Sequence, residues 1–94
     1  MEIVIDDFKQ IGAVSKLVRQ SQGLNQDVAA MYSNNGITFM SEFENGKPTV
    51  ELHRVFSVLD ALGVKVTLNL PLDESALTSK QKKQLSALLV EFKD

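Results

Sequence analysis

Asn25, Gln26, Ile37, Thr38, Ser41, Glu42, Asn45 and Lys47 lie close together in the sequence. Their chemistry is that of contact. Carboxamides and hydroxyls both donate and accept hydrogen bonds, Glu42 only accepts, Lys47 only donates, and Ile37 offers apolar surface. None is a nucleophile with a base beside it. The rest of the chain supplies no better reaction centre: there is no cysteine, His53 is the single histidine, and no glycine-rich phosphate loop is present. No pair of carboxylates is placed to work across a cleft. An enzyme is therefore the weakest expectation.

The elements that must position these residues are legible around them. Asn25 is a strong N-cap and Asp27 sits in the first turn, where a carboxylate favours the helix dipole. Val28, Ala29 and Met31 then give a small apolar face. Ser33-Asn34-Asn35-Gly36 breaks the helix, and asparagine tolerates the left-handed backbone that a tight helix end requires. A second helical pattern follows, with Phe39, Met40 and Phe43 at helical spacing, and stops at Asn45-Gly46 before Lys47-Pro48. Helix, four-residue turn, helix is the spacing of a helix-turn-helix DNA reader. With Met40 and Phe43 inward, the outward set is Ile37, Thr38, Ser41, Glu42 and Asn45. Thr38 can bond a base edge, Ile37 can touch a thymine methyl, and Glu42 can accept from cytosine N4. Gln26, Asn25, Asn45 and Lys47 suit phosphates, with Lys16 and backbone amides at helix starts as further donors.

The stretch resembles the core of the phage-repressor-like XRE/Cro-C1 family: Gly-Leu-x-Gln before the first helix, a small residue at its centre, and Phe-Glu-Asn-Gly closing the second. More narrowly, Lys16-Leu17-Val18-Arg19-Gln20, Gly23-Leu24-Asn25-Gln26, Phe39-Met40-Ser41-Glu42-Phe43-Glu44 and Gly46-Lys47-Pro48-Thr49 are similar to the HipB-like antitoxins, repressors paired with HipA-type kinase toxins. The similarity spans roughly residues 8 to 70. It implies a partly buried ion pair between Arg19 and Glu44, and DNA contacts at Gln26, Thr38, Glu42 and Asn45. Three departures stand out: Asn34 where glycine is usual, Ala29 where a larger aliphatic is common, and no arginine in the second helix. Without arginine the bidentate guanine contact is lost, so DNA bending or groove shape should contribute to specificity.

Ninety-four residues with 44% hydrophobic and 23% charged content suit one small soluble domain, and no apolar run approaches a membrane span. The absence of cysteine fits a cytoplasmic setting, and no cofactor or metal is expected. A net charge of −2 implies weak non-specific DNA binding and a shallow salt dependence. MEIVIDD is a brief strand or ordered arm ending in N-cap candidates Asp6 and Asp7. Phe8 to Gln22 has helical period through Phe8, Ile11, Val14/Ser15 and Leu17/Val18, with Gly23 ending it. Thr49 is an N-cap candidate for a helix carrying Leu52, Val55, Phe56, Leu59 and Leu62, ended by Gly63. His53 lies off that stripe and receives no role.

Val64, Val66, Leu68 and Leu70 alternate with Lys65, Thr67 and Asn69, the pattern of a half-buried strand closed by Pro71. A lone strand must pair somewhere. Ile3 to Ile5 is one candidate, and the same strand of a second copy is the other. HipB-like dimers are built the second way, so a homodimer is expected. Residues 71 to 79 read as a linker, followed by an amphipathic helix with Lys80, Lys82 and Lys83 at its start and Leu85, Leu88, Leu89 and Phe92 as its stripe. This tail packs on its own dimer or docks on a protein partner.

The expected fold is mostly α: a four- to five-helix lambda-repressor-like domain over 1–70 with a C-terminal β-strand pairing across a homodimer, and a linker with an amphipathic tail over 71–94. The expected function is that of a palindrome-binding repressor and antitoxin of a HipA-type serine/threonine kinase. The alternatives are a stand-alone XRE-family repressor, an antitoxin of an unrelated toxin, and an interaction module that has lost DNA binding.

Overall fold

A computed structural model describes residues 1–91. Its elements are α1 (Phe8–Ser21), α2 (Gln26–Tyr32), α3 (Ile37–Glu44), α4 (Leu52–Ala61), a 3-10 turn at Glu74–Ala76, and α5 (Ser79–Glu91). Three of the helix starts, those of α1, α2 and α5, are capped by side chains. Asp7 caps α1, accepting from the Lys9 amide at 2.8 Å, while the Gln10 side chain accepts from the Asp6 and Asp7 amides. Asn25 caps α2 by accepting from the Val28 amide at 2.9 Å. Thr78 and Gln81 form a reciprocal box at the start of α5. Thr49 does not cap α4. The Pro48 turn carries the chain past it, Val50 tucks against the core, and Glu51 becomes the residue before the first helical turn.

The core is formed by Ala29, Ala30, Met40, Phe43, Val55, Val58, Leu59 and Leu62, ringed by half-buried Phe8, Ile11, Val18, Leu24, Phe39, Val50 and Val64. Phe43 is fully buried, edge-on to Phe8 with ring centroids 6.4 Å apart and stacked on Phe39 at 6.0 Å. Three apolar stripes differ from their sequence expectation. On α2, Ala30 joins Ala29 as an inward residue while Met31 is exposed, and Leu17 faces outward from α1. On α4, Val58 is inward while Leu52 and Phe56 are exposed. Each error is a choice between neighbouring apolar positions, which helical period alone separates poorly.

α1 crosses α3 at Gly12. A Cβ built there would lie 2.0 Å from the Phe43 carbonyl oxygen, a backbone atom that cannot swing aside. Gly12→Ala should therefore cost about 2 kcal/mol, since overpacking of roughly 3 kcal/mol exceeds the ~1 kcal/mol gain in helix propensity. The urea midpoint reads it directly: a marked fall is expected, and an unchanged or raised midpoint would contradict the close crossing.

Val64–Leu70 does not form the expected strand. Among the described residues no strand is present, and between Lys65 and Leu72 no backbone–backbone hydrogen bond is made. The same holds for Met1–Ile5, so the arm does not pair with this segment within the chain. A ladder requires two edges in register, and one chain supplies none here. The tail helix also stands off the domain: Leu85, Leu88, Leu89 and Val90 are all exposed. Phe92, the last residue of its expected stripe, lies outside the described residues.

Candidate nucleic-acid interface

α2 and α3 are joined by Ser33–Gly36, and the turn is fixed by its own side chains. Asn34 takes a left-handed φ of 57°. The Ser33 hydroxyl donates to the Ala29 carbonyl at 2.8 Å, and the Asn35 amide nitrogen reaches the Ser33 carbonyl at 3.1 Å. Arg54 of α4 donates to the Asn35 side-chain oxygen at 3.1 Å, bracing the turn against the body. Arg54 was not among the residues singled out from sequence, and Asn35 was read only as part of the helix-breaking turn. Their pairing crosses two elements and leaves no local pattern.

Arg19 and Glu44 meet beneath this pair of helices. The guanidinium donates through Nε to Glu44 Oε2 at 2.6 Å and through Nη2 to Oε1 at 3.0 Å. Nη1 donates to the Leu24 carbonyl at 2.8 Å. Both residues are buried. The hydrogen bonds that Arg19 donates to Glu44, with the charge of that carboxylate, push the Arg19 pKa upward against the opposing effect of burial, so Arg19 stays charged. This pair ties α1 to the end of α3 and sets the angle at which α3 is presented.

Gln26 sits differently from the phosphate-facing position expected of it. Its amide nitrogen donates to Glu44 Oε1 at 2.8 Å and the residue is half-buried. The side-chain oxygen remains for an outside donor, so Gln26 couples the interface to the buried pair. Asn25 likewise spends its oxygen on the α2 cap, leaving its NH2 group outward.

Ile37 and Thr38 are exposed at the start of α3, Ser41 and Glu42 are half-buried along it, and Asn45 is exposed at its end. Positions 37, 38, 41, 42 and 45 fall on one side of a helix by the 100° step. Lys47 forms an ion pair with Glu42. That pairing neutralises the one carboxylate on the outward face, where it would otherwise repel a phosphate backbone. Lys47 is delivered to it by Gly46, whose φ of +83° turns the chain back and whose absent Cβ would meet Lys9 Cγ at 2.8 Å. Lys16 is exposed on α1. The surface is thus a polar ridge with an apolar tip, held rigidly from behind. Among the described residues no cluster could hold a metal ion, and no helix is long and apolar enough to cross a membrane.

This arrangement, a capped short helix, a braced turn and a second helix with an outward polar ridge, is a helix-turn-helix. No family model matches the chain. Over 61 residues it is 38% identical to an uncharacterized HTH-type transcriptional regulator, y4mF, of Sinorhizobium fredii, covering 65% of this chain and 80% of that one. The chain belongs to the HTH-type transcriptional regulators. The solved structures it resembles place it more narrowly. A HipA-HipB-O2-O3 complex matches with a TM-score of 0.69 and 28% identity, over 76% of this chain and all of the other. A HipB-O4 20mer complex matches with a TM-score of 0.68 at the same identity and coverage. Within that family the chain is similar to HipB in fold and sequence.

Proposed function

We propose that this chain is a homodimeric repressor that binds a palindromic operator through α3, and that it is the antitoxin of a HipA-type serine/threonine kinase. The outward ridge of α3, with its carboxylate neutralised by Lys47, is the observation that carries the DNA half. The likeness to HipB complexes, one of them with HipA, supports the kinase half. Residues 1–70 form the DNA-binding and dimerisation unit, and residues 71–94 the linker and tail. Ile37, Thr38, Ser41 and Glu42 face base edges, while Asn25, Gln26, Asn45 and Lys47 hold the backbone. Val64, Val66, Leu68 and Leu70 form an antiparallel strand with the same segment of a second copy, placing two α3 helices on half-sites ~34 Å apart. In an antiparallel pair, directly opposed residues share a face, so a two-fold axis at Thr67 keeps every apolar residue of both strands on one side. The exposed apolar stripe of α5 is the surface offered to the kinase.

The two kinds of contact separate in mutants. Lys47→Ala removes a phosphate contact and leaves Glu42 unneutralised, so it should weaken binding to all DNA sequences and lower the salt slope by about one. Thr38→Ala should instead relax discrimination at one base pair and leave the slope unchanged. Equal slopes for Lys47→Ala and the parent would remove Lys47 from the interface. For the kinase, the tagged protein is purified from its host at native expression and the intact complex is weighed. A stoichiometric kinase-sized partner on a dimer is expected, and a bare dimer with the partner gene expressed would overturn the antitoxin assignment.

A further inference from the structure

An open apolar groove of about 1320 Å³ runs between the N-terminal arm, Met1–Ile5, and the Val64–Asn69 segment, with Ile11, Val14, Leu17 and Val18 of α1 forming its floor. This exceeds the ~300–1,000 Å³ of a small-molecule pocket and lacks the enclosure of one. Past the Val64 amide, which donates to the Leu59 carbonyl, both walls, Met1–Ile5 and Lys65–Asn69, are backbone without backbone hydrogen-bond partners among the described residues. Backbone donors and acceptors flanking an apolar floor call for an occupant that brings its own extended backbone and a period-two apolar face.

We propose that the occupant is the Val64–Leu70 segment of a second copy, and that the arm is an edge strand of the dimer. This rests on the homodimer proposed above and extends it. The groove lies between the arm and residues 64–69 of one chain. A second copy's segment entering it pairs with the arm on one side and with its own equivalent on the other. The two-fold axis repeats this in the second groove, so the strand order is arm, second copy's 64–70, 64–70, second copy's arm. Each central strand then has both edges satisfied, which a two-stranded ribbon does not achieve. The alternation of the arm agrees. Ile3 and Ile5 are 51% and 37% exposed, whereas Val4 between them is 93% exposed, so the more covered side of the arm is the Ile3/Ile5 side. Glu2 and Val4 thus share the outer face with Lys65, Thr67 and Asn69, where Glu2 and Lys65 have opposite charge. Leu17, 67% exposed in one chain, becomes covered.

The chain has no cysteine, so single cysteines report pairing cleanly. A tagged Val4→Cys chain is mixed with untagged Lys65→Cys, Thr67→Cys or Asn69→Cys chains and oxidised. At least one mixture should give a disulfide-linked heterodimer in high yield, since strand neighbours bring Cα atoms within the 4.4–6.8 Å that a disulfide tolerates. Removal of residues 1–5 should raise the dimer dissociation constant roughly 10- to 100-fold, the effect of one further buried aliphatic side chain. No crosslink in any mixture, or closure within one chain when Val4→Cys is combined with each partner cysteine in a single chain, would overturn the arm's role. Sedimentation of the parent separates the two levels. A dimer that fails to crosslink refutes the edge strand alone, while a monomer refutes the dimer on which it rests.

Discussion

Glu44→Ala is expected to cost about 3–5 kcal/mol, the penalty for leaving a buried charge without its partner. Arg19 would lose two of its three hydrogen bonds and keep only the Leu24 carbonyl. Gln26 would lose its acceptor as well. Against the ~5–15 kcal/mol total of a typical domain, this is enough to leave much of the protein unfolded near body temperature. The double variant Arg19→Met/Glu44→Leu removes both charges and should recover most of that loss, because a buried ion pair is a weak stabiliser relative to apolar groups of similar volume. Chemical denaturation of Arg19→Met, Glu44→Leu and the double variant gives the coupling. Additive losses would mean that the two side chains do not act as a pair. The double variant should nevertheless bind DNA less well than the parent, since the tie between α1 and the end of α3 and the anchor of Gln26 are both gone.

The second large effect concerns assembly. Val66→Asp with Leu68→Asp puts two charges on the face that the proposed strand pair buries. Both residues are more than half exposed in the single chain, so the helical domain should keep its fold and its helical circular dichroism. The dimer should be lost. With it goes the linkage of two half-site contacts, and operator affinity should fall by about 10²–10⁴, the usual gain from joining two binding modules. The paired measurements are sedimentation and DNA titration on one preparation. A monomeric variant that binds the operator as tightly as the parent would contradict the need for two copies.

The helix-turn-helix was legible because its signals are local: the Asn25 cap, the Asn34 turn, the Phe39, Met40 and Phe43 spacing, and the Asn45-Gly46 stop. The inward choices were less so. Leu52 and Phe56 look as core-forming as Val58, and only the packing of α4 on α2 decides among them. Gly12 carries no polarity signal at all, although its missing side chain sets the approach of α1 to α3. Gln26 was read from sequence as a phosphate contact, yet its amide donates to Glu44 Oε1, an oxygen that already accepts from Arg19 and has a second lone pair for it. Val64–Leu70 has the pattern of a strand without a partner in its own chain, and that pattern points outside the chain.

Quantitative footprinting on the DNA upstream of the protein's own coding sequence tests the central claim most directly, with the bound stoichiometry weighed alongside. Two protected half-sites about one helical turn, ~34 Å, apart are expected. They should be occupied by two chains per duplex, and protection should be lost in Ile37→Asp. Protection no stronger than on unrelated DNA of the same length, or a single chain per site, would contradict a dimeric operator-binding repressor.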